Sequence, residues 1–576
     1  MKEYLRELFA KQQYEEADSY LNEHITAENY DDDIAIYDGT LGLCFGDLNR
    51  VWSACANGLT INPRNYELYV ILGEYYLSKN INQAYLCYEN AHFYCENDED
   101  KVMIAEIMNK LLSTGNVSVR KASFVILSYN LLEFTSNCIE SIRMMVPESA
   151  REIVVVDNAS EDGSVEWLRE QEDVVLVENT ENAGFPKGCN IGIDAADCEN
   201  DIFLLNNDTL MVDNALFWLR MGLYESDEVG TTGSVSNYCG NMQQVAGNIR
   251  ETDKLMKYGV MNNVPLEHPY EDKLFLIGFA LLIKRDVYNI VGKLDERFTP
   301  GNYEDNDYGL RVLQAGYKNV LCRNSFIIHF GSKTFKKAAN TYNDIMQVNA
   351  AKFKEKWDID PRYYFYPRRE LVNLIEEPTE KAMNILDIGC GCGAMLGYIK
   401  GLYPNTTAYG VEIVDKAAEF AEHMADVVCG DIETLDFPWE EEFFDYIIMG
   451  DVLEHLRRPD IVLRRLHKHV KKGGHIIVSM PNVKHYSVIL PLLFNDEFTY
   501  SDAGILDTTH LKMYTGLEVR RLIEESAFKI KTWGYTNMGE PKGQAAEALE
   551  KLLELTGSTN KDQYLAYQYV LKAECI

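Results

Sequence analysis

The sequence predicts a multidomain chain, with an α-helical N-terminal domain followed by two separate α/β domains, each a doubly wound sheet. Three observations predict it. At 576 residues the chain is too long for a single core. Residues 1–116 read as helical, with small and aromatic residues recurring at a fixed offset. After Lys121, and again after Asn384, short apolar runs of strand length alternate with helical stretches, the pattern of βαβ units.

In the helical part, Leu41, Gly42 and Phe45 recur as Leu72, Gly73 and Tyr76, an offset of 31, and Val51, Cys55 and Gly58 recur as Ala84, Tyr88 and Ala91, an offset of 33. These are the small and aromatic positions where paired antiparallel helices touch. Pro63 closes one unit, and Ala17 and Leu21 mark a degenerate earlier one. The pattern over residues 1–117 resembles tetratricopeptide repeats, whose period is about 34 residues. Such a region docks a protein partner or the rest of the chain.

The first α/β domain is expected over residues 118–357, with strands at Phe124–Leu127, Ile153–Val156, Val174–Val177 and Ile202–Leu205 in a largely parallel sheet. A helix near Thr341–Trp357 closes it. Chemistry in such sheets gathers at the C-terminal strand ends, where Tyr129-Asn130, Asp157 and Asn206-Asn207-Asp208 fall. Residues 358–383 read as a linker with one short helix. The second α/β domain, residues 384–576, has strands at Ile385–Ile388, Ala408–Val411, Tyr446–Met449 and His475–Ser479, and a terminal strand at Tyr564–Leu571.

In the first domain, Asn206 and Asp208 offer oxygen ligands that, with diphosphate oxygens, can hold Mn²⁺ or Mg²⁺. Such an ion neutralises a leaving diphosphate. Asn207 lies beside them. Asp157 can accept from a pyrimidine N–H or a ribose hydroxyl. The glycine-rich stretch Asn182–Asn190 lets backbone approach a nucleotide, with Lys187 near phosphate. Glu304-Asp305 is the acid–base element, with Asp305 the base that deprotonates an attacking sugar hydroxyl; Glu304 and Asp307 are the alternatives. His329 can complete the metal shell through neutral imidazole.

With these motifs, Gly278–Leu282, Gly292–Asp295 and Glu304–Arg311, residues 120–360 resemble a family 2 glycosyltransferase of the GT-A fold, close to rhamnosyltransferase-like members. The resemblance implies inversion at the anomeric carbon and a UDP-, GDP- or dTDP-sugar donor. It maps Asp208 onto the second acid of an Asp-x-Asp metal motif, Asp305 onto the base and His329 onto a downstream metal ligand. Asn206 stands where the family has the first acid.

In the second domain, Asp387-Ile-Gly389-Cys-Gly391-Cys-Gly393 follows a strand and precedes a helix, a tight turn for close backbone approach to a cofactor. Asp387 orients the loop or meets a cationic amino-acid end, and Glu412 closes the next strand where it can accept two ribose hydroxyls. Asp431, in Cys429-Gly-Asp-Ile432, suits adenine, and Asp451 opens Asp451-Val-Leu-Glu454-His455 after the fourth strand. With Val470–Gly474 and Ile505–Lys512, residues 376–576 resemble class I S-adenosylmethionine-dependent methyltransferases of the ubiquinone-biosynthesis-like kind, which have a Rossmann-like sheet. The resemblance implies S-adenosylmethionine as cofactor. His455, His485 and His510 are candidate bases, with His510, near Asp507, favoured. Cys390 and Cys392 have no second cysteine or histidine pair nearby and are not read as a metal site.

The net charge of −35 excludes a general nucleic-acid binder, since phosphate backbones need a basic face. The charged start, Met1–Ala10, has no apolar h-region, and no stretch is long enough for a membrane span. Thirteen cysteines without framework spacing fit free thiols in a cytoplasmic setting. The expected function is sugar transfer to a glycan or protein acceptor such as flagellin, joined to O-methylation of a sugar. The alternative is a repeat-based scaffold in which only one catalytic half is active.

Overall fold

The computed structural model describes residues 2–247, 249–331 and 339–576. The chain divides into two compact units, Met1–Trp357 and Asp358–Ile576.

The first unit opens with helices α1 (Lys2–Ala10), α2 (Tyr14–His24), α3 (Asp32–Phe45), α4 (Leu48–Ile61), α5 (Tyr66–Leu77), α6 (Ile81–Tyr94) and α7 (Asp98–Ser113). Asp31, Asp47, Asn65, Asn80 and Asn97 precede α3 to α7, and each side chain accepts a first-turn N–H, satisfying donors the helix cannot. The recurring small residues are where helices touch. A Cβ on Gly58 would lie 2.5 Å from Leu68 and 2.6 Å from Ala35, and one on Gly73 would lie 2.9 Å from the Tyr88 ring. The repeat offset therefore marks helix-pair contacts.

This helical region does not stand apart from the sheet that follows it. One apolar core runs from α4–α7 into the helix Ala215–Leu223. Tyr69 meets Phe217 edge-on at 5.3 Å, and Gln83 donates to the Met221 carbonyl at 3.0 Å. Glu89 and Arg220 pair while both are more than nine-tenths buried. The surface that the repeats present at α6 is thus occupied by the chain itself.

The main sheet of the first unit uses β1 (Ala122–Ser128), β2 (Arg151–Asp157), β3 (Val174–Glu178), β4 (Asp201–Asn206), β6 (Val229–Val235), β7 (Tyr270–Lys273), β8 (Ala280–Ile283) and β9 (Lys318–Phe326), in the order β3-β2-β1-β4-β8-β6-β9-β7. The four predicted strands, β1 to β4, pair in parallel. β8 runs antiparallel to both β4 and β6, and β7 antiparallel to β9, so the sheet is mixed on the side away from β3. A separate two-stranded ribbon joins β5 (Thr209–Leu210) to β10 (Ile328–His329), and helix Ala339–Trp357 closes the unit.

The second unit holds a seven-stranded sheet of β11 (Asn384–Ile388), β12 (Thr407–Glu412), β13 (Asp426–Cys429), β14 (Phe444–Gly450), β15 (Val470–Pro481), β16 (Phe528–Thr536) and β17 (Gln568–Cys575), ordered β13-β12-β11-β14-β15-β17-β16. All neighbours pair in parallel except those of β17. The strand order reverses beside β11, the switch point where doubly wound sheets bind ligands.

Two expectations are corrected here. Residues 358–383 belong to the second unit: they carry two short helices, Pro361–Tyr364 and Arg369–Val372, and Leu371 and Val372 are buried in its core. The terminal strand begins at Gln568, because Asp562–Leu565 forms a helical turn that buries Tyr564 and Leu565. All thirteen cysteines are free thiols, and no helix among the described residues is long and apolar enough to cross a membrane.

Candidate active sites

In the first unit, β4 ends at Asn206, and the turn through Asn207 and Asp208 leads into the β5–β10 ribbon. Its register sets His329 opposite Thr209, and Phe330 N–H donates to the Asp208 carbonyl at 2.9 Å. His329 Nε2 consequently lies 3.3 Å from Asp208 Oδ1 and 3.4 Å from Asn206 Nδ2. Its other nitrogen, Nδ1, lies 2.8 Å from the Tyr238 carbonyl. That bond calls for a proton on Nδ1 and leaves Nε2 as a lone pair facing Asp208, the arrangement of a metal-binding imidazole. Phe279 stacks on the ring at 5.0 Å, and Asn237 exchanges two hydrogen bonds with the His329 backbone. Asn206, Asp208 and His329 are thereby brought together, and their donor set fits a divalent ion. Asn207 instead turns to Thr135, donating at 3.0 Å.

Glu304 and Asp305 open the helix Glu304–Gln314, entered through Asn302 and Tyr303, both at φ of 75°, a strained conformation for these residues. Asp305 Oδ2 accepts from Gly278 N–H at 3.2 Å and Oδ1 from Asn306 N–H at 2.8 Å. Burial raises its proton affinity although some of the residue still meets solvent. Glu304 is raised well above the usual range, by burial first and by Asp305 next, and its Oε2 has no partner. Asp307, the other alternative base, is fully buried and committed to Arg311, Trp357 and Lys356. It is an anchor.

Asp157 accepts from Ser160 twice, at 2.8 Å from N–H and 2.6 Å from the hydroxyl. It builds its own turn, with one lone pair left on each oxygen. The sequence reading passed over Asn158, which accepts from Asn179 and from Ala183 N–H and donates to Asn182, knitting two strand-end loops together. Its place one residue after a strand-terminal acid was the available signal. Lys187 is exposed on the first turn of the helix Phe185–Ala195.

In the second unit, Gly389, Gly391 and Gly393 all have positive φ, at 74°, 57° and 86°. A Cβ on Gly391 would lie 3.2 Å from the Tyr364 ring. Glu412 Oε2 accepts from Gly391 N–H at 2.8 Å while Oε1 accepts from Ile413 and Val414 N–H, so the carboxylate ties β12 to the loop. Asp387 is buried with Oδ2 unpartnered, and burial, then Glu412, pushes its carboxyl well up. An orphaned buried oxygen beside a glycine cradle fits a cofactor with a cationic group. Asp431 is exposed and accepts from Glu433 N–H, which shapes the turn after β13.

Asp451 differs from expectation. Its carboxylate is taken by Arg368, by Ser479 at 2.8 Å and by Gln568 at 2.9 Å. It braces the end of β14. Arg368 lies in the segment read as linker, which hid this partner. His485 caps the helix Tyr486–Asn495 through Ser487 and is pushed down to about 4 by burial. His510 Nδ1 lies 2.8 Å from the Ile505 carbonyl, while Asp507 is occupied by Thr509. His510 N–H donates to the Asp507 carbonyl at 3.1 Å, and its ring also faces Glu454 and His455.

Residues 123–289 match the family model described as Glycosyl transferase family 2, and residues 361–532 match that described as Methyltransferase domain. The chain carries one domain of each family. The ubiquinone biosynthesis O-methyltransferase of Rattus norvegicus is 24% identical over 164 residues, which cover 26% of this chain and 45% of that relative. The chain thus spans under half of that relative's length. A methyltransferase structure from Archaeoglobus fulgidus shares 20% identity at a TM-score of 0.27, covering 38% of this chain and 97% of that one. A structure of GalNAc-T7 with UDP, GalNAc and Mn²⁺ shares 15% identity at a TM-score of 0.31, covering 37% of this chain and 44% of that one.

Proposed function

We propose that the chain is a bifunctional enzyme. Its family 2 glycosyltransferase domain transfers a sugar, with inversion, from a UDP-, GDP- or dTDP-sugar to a glycan or to a protein acceptor such as flagellin. Its methyltransferase domain O-methylates a sugar from S-adenosylmethionine. The cytoplasm is the setting where both donors are available.

The observation that carries the first reaction is the His329 imidazole locked by Tyr238 with its lone pair toward Asp208. Asp208, His329 and Asn206 would hold Mn²⁺ or Mg²⁺, which when bound neutralises charge on a leaving diphosphate. Asp305 accepts the acceptor hydroxyl's proton, and its raised proton affinity suits a base that works near neutrality. Gly278 and Asn306 N–H hold that carboxylate in place for the attack. A single displacement, with oxocarbenium character at the attacked carbon, inverts the configuration.

In the methyltransferase domain, S-adenosylmethionine when bound supplies an electrophilic methyl group. Asp387 offers its unpartnered Oδ2 to the cofactor's cationic end. The glycine loop admits close backbone approach, and Glu412 is placed to exchange its backbone partners for ribose hydroxyls.

Incubation with a panel of nucleotide sugars tests the first reaction through donor hydrolysis. Adding S-adenosylmethionine and candidate acceptors tests the second, with products read by mass spectrometry. A chain that hydrolyses no donor and binds no adenosyl cofactor ends this reading.

A further inference from the structure

We propose that Glu454, His455 and His510 form a divalent transition-metal site in the methyltransferase domain, additional to the Asp208–His329 pair. One ligand atom from each of the three residues lies within 4.8 Å of the others, and His510 Nε2 is 4.0 Å from Glu454 Oε1. A shared ion sits about 2.0–2.2 Å from each ligand atom, so modest side-chain rotation closes the shell.

The protonation pattern is set by the backbone. His455 Nδ1 lies 3.2 Å from the Thr509 carbonyl, and His510 Nδ1 lies 2.8 Å from the Ile505 carbonyl. Both bonds place the proton on Nδ1 and leave Nε2 as the lone pair, as in metal-ligating histidines. Glu454 is fully buried, and neither of its carboxylate oxygens has a hydrogen-bond partner. Burial of such a group without a partner is costly, and a cation removes the cost. The two ligand-bearing segments are clamped together, because the Glu454 carbonyl accepts from Leu511 N–H at 2.9 Å and Lys512 N–H at 3.2 Å.

Two imidazoles and one carboxylate favour Zn²⁺, Mn²⁺ or Co²⁺ over oxygen-seeking Mg²⁺ or Ca²⁺. Glu454 is buried while His455 is exposed, so the shell has an open side for water or a substrate oxygen. The segment also borders the cofactor loop, since a Cβ on Gly389 would lie 3.0 Å from Val452. The role of the ion rests on the methyltransferase reading. A bound acceptor hydroxyl loses its proton to solvent more readily. Its oxygen then forms the new C–O bond as the S–CH₃ bond breaks, and the electron pair of that bond stays on sulfur.

The test uses the metal-stripped full chain carrying Asp208→Ala, which removes the other site. Co²⁺ is titrated and its visible absorption read. One ion per chain with imidazole-type bands is expected, and Glu454→Gln or His510→Ala should each weaken it by about 100-fold. No Co²⁺ uptake, or equal affinity in the variants, overturns the site. His455→Ala, at an exposed position, repeats the test if the buried substitutions fail to fold. Calorimetry with S-adenosylmethionine runs in parallel. Failure of that binding with Co²⁺ uptake intact would sink the methyltransferase reading and leave the metal site standing.

Discussion

Asp305→Asn removes a proton acceptor and little else. Asp305 makes two backbone hydrogen bonds, from Gly278 at 3.2 Å and Asn306 at 2.8 Å. Asparagine keeps one accepting oxygen at nearly the same volume, so the stability loss is about 1 kcal/mol, one hydrogen bond's worth. Loss of a positioned base costs about 10²–10⁴ in kcat, or roughly 3–5 kcal/mol of barrier. Donor affinity should hold, because Asp208 and His329 keep their geometry. The assay is the initial rate with saturating donor and acceptor, alongside donor-dependent fluorescence quenching. Burial raises the Asp305 carboxyl, so the acid limb of the native rate profile should lie above the ordinary aspartate value. Below that limb the base is protonated and the rate falls; in Asp305→Asn the limb disappears. An unchanged kcat in Asp305→Asn refutes the assignment. If Glu304→Gln loses the rate instead, Glu304 is the base.

Gly391→Val forces a β-branched residue to φ 57° and against Tyr364, with the conformation alone costing about 1–2 kcal/mol. Cofactor binding should weaken by about tenfold or more while donor hydrolysis persists, and calorimetry on both ligands checks this. Asp208→Ala should abolish the metal dependence of donor binding, measured by titrating Mn²⁺ at fixed nucleotide sugar. Glu89→Ala leaves Arg220 buried and unpaired, a loss of about 3–5 kcal/mol. The urea midpoint of the first unit should fall accordingly, and an unmoved midpoint would show that the pair does not hold the helical region to the sheet.

How much of this was legible in the sequence depends on the range of the interaction involved. β1 to β4 and β11, β12, β14 and β15 announce themselves because strands buried on both faces read as continuous apolar runs. β16 carries Lys529, Lys531, Thr532 and Gly534 between its apolar residues, so no such run marks it. The Asn206, Asp208, His329 grouping was legible as motifs, but its geometry depends on a two-residue ribbon too short for any periodicity to show. The Arg368–Asp451 pair was not legible, because 83 residues separate its members. The nearness of His510 to Asp507 was legible, but the carboxylate that faces its ring, Glu454, comes from the short turn Leu453–His455 far away in sequence. The packing of α6 on Ala215–Leu223 was not legible at all, since Gln83 and Glu89, which make its polar contacts, are residue types that ordinarily face solvent and nothing local says what covers them.

Among the described residues, the buried carboxylates with an unpartnered oxygen are Glu304, Asp387 and Glu454. All three are raised well above the ordinary range, with burial the first cause in each. Glu304 lies in the first candidate site and Asp387 and Glu454 in the second domain, which makes the orphaned acids a common property of the two. A carboxyl raised in the fold stabilises it below its unfolded value, and that contribution is lost as pH rises through the raised value. The ligand-free protein therefore bears the cost of these charges increasingly toward alkaline pH, and a cationic ligand relieves it. For Asp387 the consequence is specific. S-adenosylmethionine should raise the melting temperature of the second unit more toward alkaline pH than toward acid pH, because binding favours the ionised acid. Asp387→Asn should flatten that dependence. The chain's general negative charge would survive the substitution, so an undiminished pH dependence in Asp387→Asn would assign the effect to overall charge and remove Asp387 from the cofactor's cationic end.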